Sequence, residues 1–197
     1  MICLNTVEPI RDFNLILDIA DYLREQNERD YVLFMFGIYS GLRISDILPL
    51  KVRDVKHADY IYLREEKTGK EKRFPINDEL KKILHHYTKG KRDYEYLFRK
   101  SKGKNEPITR QRVWQILNNA ASYFGYKDKI GCHTLRKTFG YWLYQNTKDA
   151  ASIMDILNHS DISITKRYIG VNQDSKDQLM KGLSFQKKRA QSITQSQ

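Results

Sequence analysis

Four side chains in the last third of the sequence, His133, Arg136, His159 and Tyr168, are of types that could act together on one anionic group. His133 and Arg136 are three positions apart, so a helix would place both on one face. His159 and Tyr168 are nine positions apart, and one unbroken helix would point them to opposite sides. The residues at 160–163, Ser-Asp-Ile-Ser, favour a loop or cap that would let both side chains face inward. An arginine, two histidines and a tyrosine that meet at one point suit attack on a phosphodiester.

Arg43, Asp46 and Lys67 extend this set toward the N-terminal half. Arg43 follows Gly41, which stands where a helix-ending glycine is expected. Asp46 lies three positions after Arg43 and could hold its guanidinium group in place. Lys67 lies in a predicted turn at 67–70, and the tip of such a turn could enter a cleft.

The charge balance predicts a polyanionic partner. Lys and Arg number 35 against 24 Asp and Glu, which gives a net charge of +11 and a pI near 9.5. Nucleic acid is favoured over a membrane because no apolar run approaches the roughly 20 residues that span a bilayer. The two cysteines, Cys3 and Cys132, show no pairing or metal-binding pattern, which predicts reduced thiols and a cytoplasmic location.

Apolar residues at helical spacing predict a mostly helical chain. The expected helices cover 12–27, 30–40, 42–48 and 77–89, then a helix that begins at Thr109, then 135–145, 148–157, 164–169 and 174–182. The segment at 30–40 is apolar on almost every side, which predicts a central core helix. Asp12, Asn77 and Thr109 stand where a side chain can cap a helix N-terminus.

Between residues 52 and 76 the pattern changes to strands. The segments at 60–63 and 73–76 predict an antiparallel hairpin, and the segment at 52–55 is a candidate third strand. The predicted fold class is therefore α+β, mostly α-helical with one small antiparallel sheet.

Two basic segments are candidate DNA contacts. The loop at 99–104 carries Arg99, Lys100, Lys102 and Lys104, and the helix that begins at Thr109 carries Arg110 and Arg112 in its first turn. Cations on loops and at helix starts can reach the DNA backbone or groove. We predict that these six residues contact DNA; plain solvation is the alternative for the loop.

Taken in order, these positions resemble the catalytic domain of the tyrosine recombinases, the phage integrase family. The matching segments are 40–46 (SGLRISD), 67–70 (KTGK), 133–139 (HTLRKTF) and 157–159 (LNH), followed by Tyr168. Order and spacing agree from about residue 10 to residue 182. Each motif is weak alone, whereas the ordered set is specific.

The resemblance implies a nucleophile and its anion-binding groups. Tyr168 would attack a DNA phosphate to give a 3′-phosphotyrosine bond and a free 5′-hydroxyl. Arg43 and Arg136 would clamp the non-bridging oxygens, whose charge rises in the transition state. His159 would donate a further hydrogen bond there.

The resemblance also implies the groups that move protons. His133 would help to deprotonate the tyrosine, and Lys67 would protonate the departing 5′-oxygen. Asp46 would support Arg43 without reacting. Because the arginines, lysine and histidines already supply positive charge and the phosphotyrosine keeps an ester linkage, neither a metal nor ATP is expected. The adjacent His85 and His86 face apart on a helix, so no metal site is predicted there.

The function implied is site-specific recombination of duplex DNA for a mobile element or prophage. A rival is a DNA-binding regulator or remnant that keeps the fold without cleaving. A second rival is relaxation of supercoils, since type IB topoisomerases use a similar tyrosine site. The resemblance further implies a homo-oligomer assembled on DNA and a monomer when free.

The sequence departs from the family pattern in two places. Members usually carry a separate helical domain ahead of the catalytic one, whereas this sequence begins almost at the catalytic domain. The expected organisation is a catalytic domain at 1–183 without an N-terminal core-binding domain, then a flexible polar and basic tail at 184–197. Asn158 stands where the family often has glycine.

Overall fold

The computed structural model describes residues 7–67, 69–159, 165–166 and 180–181, and these residues are mostly helical. In chain order the elements are helices α1 (Phe13–Gln26), α2 (Glu28–Ser40) and α3 (Ile44–Ile47), a 3₁₀ turn (Val52–Asp54), strands β1 (Tyr60–Arg64) and β2 (Glu71–Pro75), and helices α4 (Asp78–Thr88), α5 (Arg110–Tyr123), α6 (Cys132–Thr147) and α7 (Ala150–Ile156). The predicted α+β class is confirmed. In the described part of the chain, no helix is long and apolar enough to cross a membrane.

Side-chain caps determine where several helices begin. Asp12, Asn77 and Thr109 each accept a hydrogen bond from a backbone N–H in the first turn of α1, α4 and α5, as predicted. Asn27 does the same for α2, so a single residue separates α1 from α2. The helices predicted at 164–169 and 174–182, and the tail from 184, lie mostly or wholly outside the described residues.

Helix α2 is the centre of the core, as its apolar sequence predicted, and it packs against α1, α4 and α6. Phe34 and Phe36 on α2 are at most 1% exposed, and burial of each ring stabilises the fold by about 1.5–3 kcal/mol. Gly37 faces α6, where a Cβ atom would lie 2.5 Å from Cδ1 of Leu135. A glycine at this position therefore lets α6, which carries two of the predicted site residues, approach the core closely.

Gly41 ends α2 in the predicted way, with a φ of +59° that L side chains rarely adopt. A Cβ atom on Gly41 would also overlap the ring of Phe139 on α6. Both the backbone conformation and the space thus require glycine here. The turn directs the chain into α3 and places Arg43 at its N-cap.

The two strands form the predicted antiparallel hairpin. Ile61 lies opposite Phe74 and Leu63 lies opposite Lys72. Ile61 and Phe74 are buried, and alternation along the strands brings Leu63 and Lys72 onto the same inner face. This face continues past the end of β1 to Glu65, which is also buried.

The third strand predicted at 52–55 was wrong. Residues Val52–Asp54 form the 3₁₀ turn, and only two strands occur in the residues described. The carboxylate of Asp54 accepts a hydrogen bond from the backbone N–H of Lys51 at 2.7 Å, which caps the turn. An aspartate that bonds to the backbone in this way competes with an extended strand.

Helix α6 begins at Cys132, three residues before the predicted start at 135. The backbone N–H of Gly131 donates to Oγ1 of Thr134 at 3.0 Å, which fixes the first turn. Helix α7 packs on α6 through a small apolar cluster centred on Ile153 and Leu157. Leu157, which directly follows α7, is thereby held against the helix that carries His133 and Arg136.

Candidate active site

Arg136 lies in the second turn of α6 and is 2% exposed. Its Nη1 donates to the carbonyl oxygen of Gly41 at 2.5 Å, and its Nη2 donates to that of Leu157. A buried guanidinium group requires such partners, because its desolvation is costly. Arg136 therefore joins the turn before Arg43 to the segment before His159.

Arg43 projects from the N-cap of α3 toward two buried carboxylates. Its Nη1 lies 3.0 Å from Oε2 of Glu65 and 3.8 Å from Oδ2 of Asp46. Oδ1 of Asp46 accepts a hydrogen bond from the backbone N–H of Glu66 at 3.0 Å. The structure thus places Asp46 beside Arg43, where the sequence predicted it, and also links α3 to the hairpin.

Two charged residues at this site, Glu65 and Lys72, were missed in the sequence. Nζ of Lys72 lies 4.0 Å from Oε1 of Glu65 and donates to the carbonyl oxygen of Ile156. Burial lowers the pKa of the Lys72 ammonium group, and the positive charge of Arg136 lowers it further. The two-residue alternation of the hairpin could have revealed both, since Glu65 follows Leu63 and Lys72 precedes Phe74 at that spacing.

The two histidines approach this centre from different elements. His133 lies in the first turn of α6, on the same face as Arg136, as their spacing predicted. His159 follows α7 and is half-buried, with its Nδ1 3.0 Å from Oγ1 of the fully buried Thr165. Both imidazole rings lie within electrostatic range of Arg43 and Arg136.

The surroundings keep both imidazoles neutral near pH 7. Burial lowers the pKa of His159 to about 4, and the positive charges of Arg136, Arg43 and Lys72 act in the same direction. Burial, together with the nearby positive charges of Arg110 and Arg136, lowers the pKa of His133. A neutral imidazole can accept a proton at one ring nitrogen and donate a hydrogen bond from the other.

The other two predicted site residues are Lys67 and Tyr168, and the structure describes only Lys67. Lys67 lies in the turn between β1 and β2 with an exposed side chain, and it makes no hydrogen bond or ion pair with the residues described. Tyr168 lies outside the described residues. Their assigned roles stay predictions.

Of the six basic residues predicted to contact DNA, Arg110 acts electrostatically on a residue of the cluster. Its charge contributes to the lowered pKa of His133, and its carbonyl oxygen accepts from Sγ of Cys132 at 3.5 Å. The others form two exposed or half-exposed groups: Arg112 on α5, and Arg99, Lys100, Lys102 and Lys104 in the loop. The loop is closed by a β-bridge between Arg99 and Pro107.

The charged groups of the site favour an anion. Over residues 7–67, 69–159 and the two short described segments, no group of three His, Cys, Asp or Glu side chains is placed to hold a metal ion. Two arginines, a lysine and two neutral histidines converge here with the carboxylates of Asp46 and Glu65, so the cations exceed the carboxylates by one. Such a set can bind the oxygens of a phosphate group and accept a proton beside it.

Comparison with known proteins identifies relatives over most of the chain. The model of the Phage integrase family matches residues 11–175. The probable integrase/recombinase YoeC of Bacillus subtilis (strain 168) is 49% identical over 172 residues, which cover 87% of this chain and 94% of YoeC. Tyrosine recombinase XerD of Listeria innocua is 28% identical over 82% of this chain and 57% of XerD. The chain thus spans nearly all of YoeC but less than two thirds of XerD.

Solved structures show the same fold. The crystal structure of XerA recombinase superposes with a TM-score of 0.71 at 21% identity, over 89% of this chain and 65% of XerA. The Tn1549 transposon integrase in complex with a circular intermediate DNA gives a TM-score of 0.70 at 18% identity, over 91% of this chain and 67% of the integrase. At these identities the likeness concerns the fold. Together with the family match over residues 11–175 and the identity to YoeC, it shows that the chain belongs to the phage integrase family, the tyrosine recombinases.

Proposed function

We propose that this chain is a site-specific DNA recombinase that cleaves and rejoins duplex DNA through a 3′-phosphotyrosine intermediate. The observation that carries the proposal is the convergence of Arg43 and Arg136 with two histidines of lowered pKa. These groups suit one backbone phosphate, and the chain belongs to a family of DNA breaking and rejoining enzymes. YoeC carries a matching description as a probable integrase/recombinase.

Tyr168 is the proposed nucleophile. Its phenol oxygen attacks phosphorus while the bond from phosphorus to the 5′-oxygen breaks. Thr165, which is anchored by its hydrogen bond to His159, precedes Tyr168 by three residues, and three residues extend at most about 11 Å. This short connection supports the choice of Tyr168 as the nucleophile.

The remaining residues stabilise charge and move protons. Arg43 and Arg136 donate hydrogen bonds to the non-bridging oxygens as their charge increases. Neutral His133 takes the phenol proton. A base is needed because a tyrosine with the ordinary pKa near 10 is mostly protonated at pH 7. Lys67, on the exposed turn, donates a proton to the departing 5′-oxygen. A 5′-hydroxyl then attacks the phosphotyrosine, which reverses these transfers and restores a DNA strand.

The partner we propose is duplex DNA, with assembly of several copies on the recombination site and a monomer when free. The exposed Arg99, Lys102, Lys104, Arg110 and Arg112, with half-exposed Lys100, contact the backbone. The Tn1549 integrase was solved in complex with DNA, which supports this choice of partner. We place the enzyme in the cytoplasm, with a catalytic domain over 1–183 and a tail over 184–197.

The test is covalent capture of DNA. The protein is incubated in EDTA with a library of nicked duplexes of randomised sequence, and SDS-resistant adducts are recovered and sequenced. Wild type and the control Tyr62→Phe, which alters a tyrosine that is 73% exposed, should form adducts. Tyr168→Phe should form none.

Each rival function predicts a different result. DNA binding without any adduct from wild type would support the DNA-binding regulator and overturn the proposal. Adducts that persist in Tyr168→Phe would require another nucleophile. Relaxation of a supercoiled plasmid without strand exchange between two copies of the recovered site would favour the topoisomerase-like activity.

A further inference from the structure

Glu65 is a buried carboxylate at the point where the hairpin meets the candidate site. The residue is 1% exposed, although it lies among polar and charged neighbours in sequence. Its backbone N–H donates to the carbonyl of Lys70 at 2.9 Å, and its carbonyl accepts from the N–H of Gly69 at 2.8 Å. The position of this side chain is therefore coupled to the turn that carries Lys67.

The carboxylate joins three parts of the chain that are distant in sequence. Oε2 lies 3.0 Å from Nη1 of Arg43 and accepts a hydrogen bond from Nδ2 of Asn158 at 2.9 Å. Oε1 lies 4.0 Å from Nζ of Lys72 on the opposite strand. Because buried carboxylates are costly unless they are paired, these contacts determine where the group can lie.

Asn158 is the second member of this arrangement. Its φ of +49° is a left-handed conformation that glycine adopts freely and asparagine tolerates better than most residues. Glycine would therefore satisfy the backbone, but only a side chain at this position can reach Glu65. Asn158 also lies directly between Leu157, whose carbonyl accepts from Arg136, and His159.

We propose that Glu65 and Asn158 form a positioning pair for the cleavage reaction, in which Glu65 orients Arg43 and Asn158 ties the His159 segment to the Lys67 hairpin. This inference rests on the proposed function. Neither side chain needs to touch the DNA phosphate. The pair instead fixes one edge of the Arg43 guanidinium group, so that the other donors are already directed into the site when the phosphate arrives.

If the two residues act by positioning, their replacement should slow DNA cleavage and leave the affinity for DNA nearly unchanged. Single-turnover cleavage is measured on a duplex recovered from the adduct library, over a range of protein concentrations. Glu65→Gln, which keeps an acceptor for Asn158 but removes the charge beside Arg43, should lower the rate at saturation roughly 10- to 100-fold. The concentration for half-saturation should stay within about twofold of wild type.

Asn158→Gly is the second variant, because glycine fits the left-handed backbone without strain. It should lower the rate at saturation by about threefold or more. This loss should shrink in a Glu65→Ala background, where Asn158 has already lost its acceptor. Glu66→Gln is the control: it makes the same chemical change one position along, on an exposed side chain, and should cleave at the wild-type rate.

The outcomes separate this inference from the proposed function. Wild-type protein that forms no adduct on any duplex overturns the proposed function. Wild-type cleavage with unchanged rates in Glu65→Gln and Asn158→Gly overturns the positioning pair alone. Fully additive rate losses, or weaker DNA binding without a slower rate at saturation, also overturn the pair. Thermal unfolding of each variant establishes that it is folded at the assay temperature.

Discussion

Arg136 donates a hydrogen bond from Nη1 to the carbonyl oxygen of Gly41 at 2.5 Å, which joins α6 to the end of α2. The other arm of the guanidinium group donates to Leu157. Gly41 lies two residues before Arg43, and Leu157 lies two residues before His159. One buried side chain thus fixes the backbone on both sides of the candidate site.

We predict that Arg136→Lys loses both cleavage and stability. One ammonium group cannot reproduce the planar fork that serves both carbonyl groups, so cleavage should fall roughly 100-fold or more. The free energy of unfolding should fall by about 2–4 kcal/mol in urea titrations. Arg43→Lys is the comparison: it should cleave as poorly but lose less stability than Arg136→Lys, because lysine keeps a positive charge beside the buried carboxylates. DNA affinity should change little in both, and wild-type stability of Arg136→Lys would contradict this account.

Gly41→Ala should be strongly destabilising. The left-handed backbone costs an alanine about 1–2 kcal/mol, and overlap with Phe139 should add about 1–3 kcal/mol. Gly90→Ala is the control, because Gly90 also has a positive φ of +78° but nothing lies within 4 Å of its added Cβ. Urea denaturation should show a larger loss for Gly41→Ala than for Gly90→Ala. Equal decreases in the free energy of unfolding would mean that overlap with Phe139 does not contribute to the destabilisation.

Thr138→Val tests how the segment before α1 is held against α6. Oγ1 of Thr138 accepts a hydrogen bond from the buried backbone N–H of Ile10 at 2.9 Å. Valine has nearly the same shape but leaves that N–H without its acceptor, so the free energy of unfolding should fall by about 1–3 kcal/mol. Thr147→Val, at an exposed position on the same helix, should change it by no more than about 0.5 kcal/mol. A neutral Thr138→Val would show that the N–H finds another partner.

Stability should decrease at acidic pH through His159. The unfolded chain binds a proton at the ordinary histidine pKa of 6.5, whereas burial and nearby cations lower the folded-state pKa to about 4. The free energy of unfolding should therefore be level above pH 6.5 and fall as the pH drops from 6.5 toward 4. The lowered pKa of His133 acts in the same direction. In urea titrations across this range, His159→Gln should show a smaller fall than wild type; parallel curves would exclude His159 as a cause.

Much of the fold could be predicted because local signals and tertiary packing agree. The caps at Asp12, Asn77 and Thr109 and the glycine after α2 each use a residue type that suits its backbone position. The start of α6 was missed because Gly131 offers no capping side chain, and the turn is fixed instead by Thr134 inside the helix. That bond cannot be distinguished in sequence from an ordinary helical threonine.

The site was predictable where residue types and spacing are distinctive, as for His133 and Arg136. Glu65 was not found because a glutamate in the run Arg-Glu-Glu-Lys is typical of a solvated turn. Only the alternation of the hairpin shows that it follows Ile61 and Leu63 onto the inner face. The side-chain role of Asn158 likewise depends on a partner at Glu65 that no local pattern indicates.

The structural contacts of Arg136, beside its proposed part in cleavage, bear on how a gene for this protein could decay. A copy under selection only to fold and to bind DNA would still need the fork that joins Gly41 to Leu157, so its Arg136 codon would be retained after cleavage was lost. Exposed Lys67 makes no such bond with the residues that the structure describes, so we expect that its replacement would not destabilise the fold. In a descendant that has lost activity, Lys67 should therefore be replaced before Arg136. A retained Arg136 would then be weak evidence that such a protein still cleaves DNA.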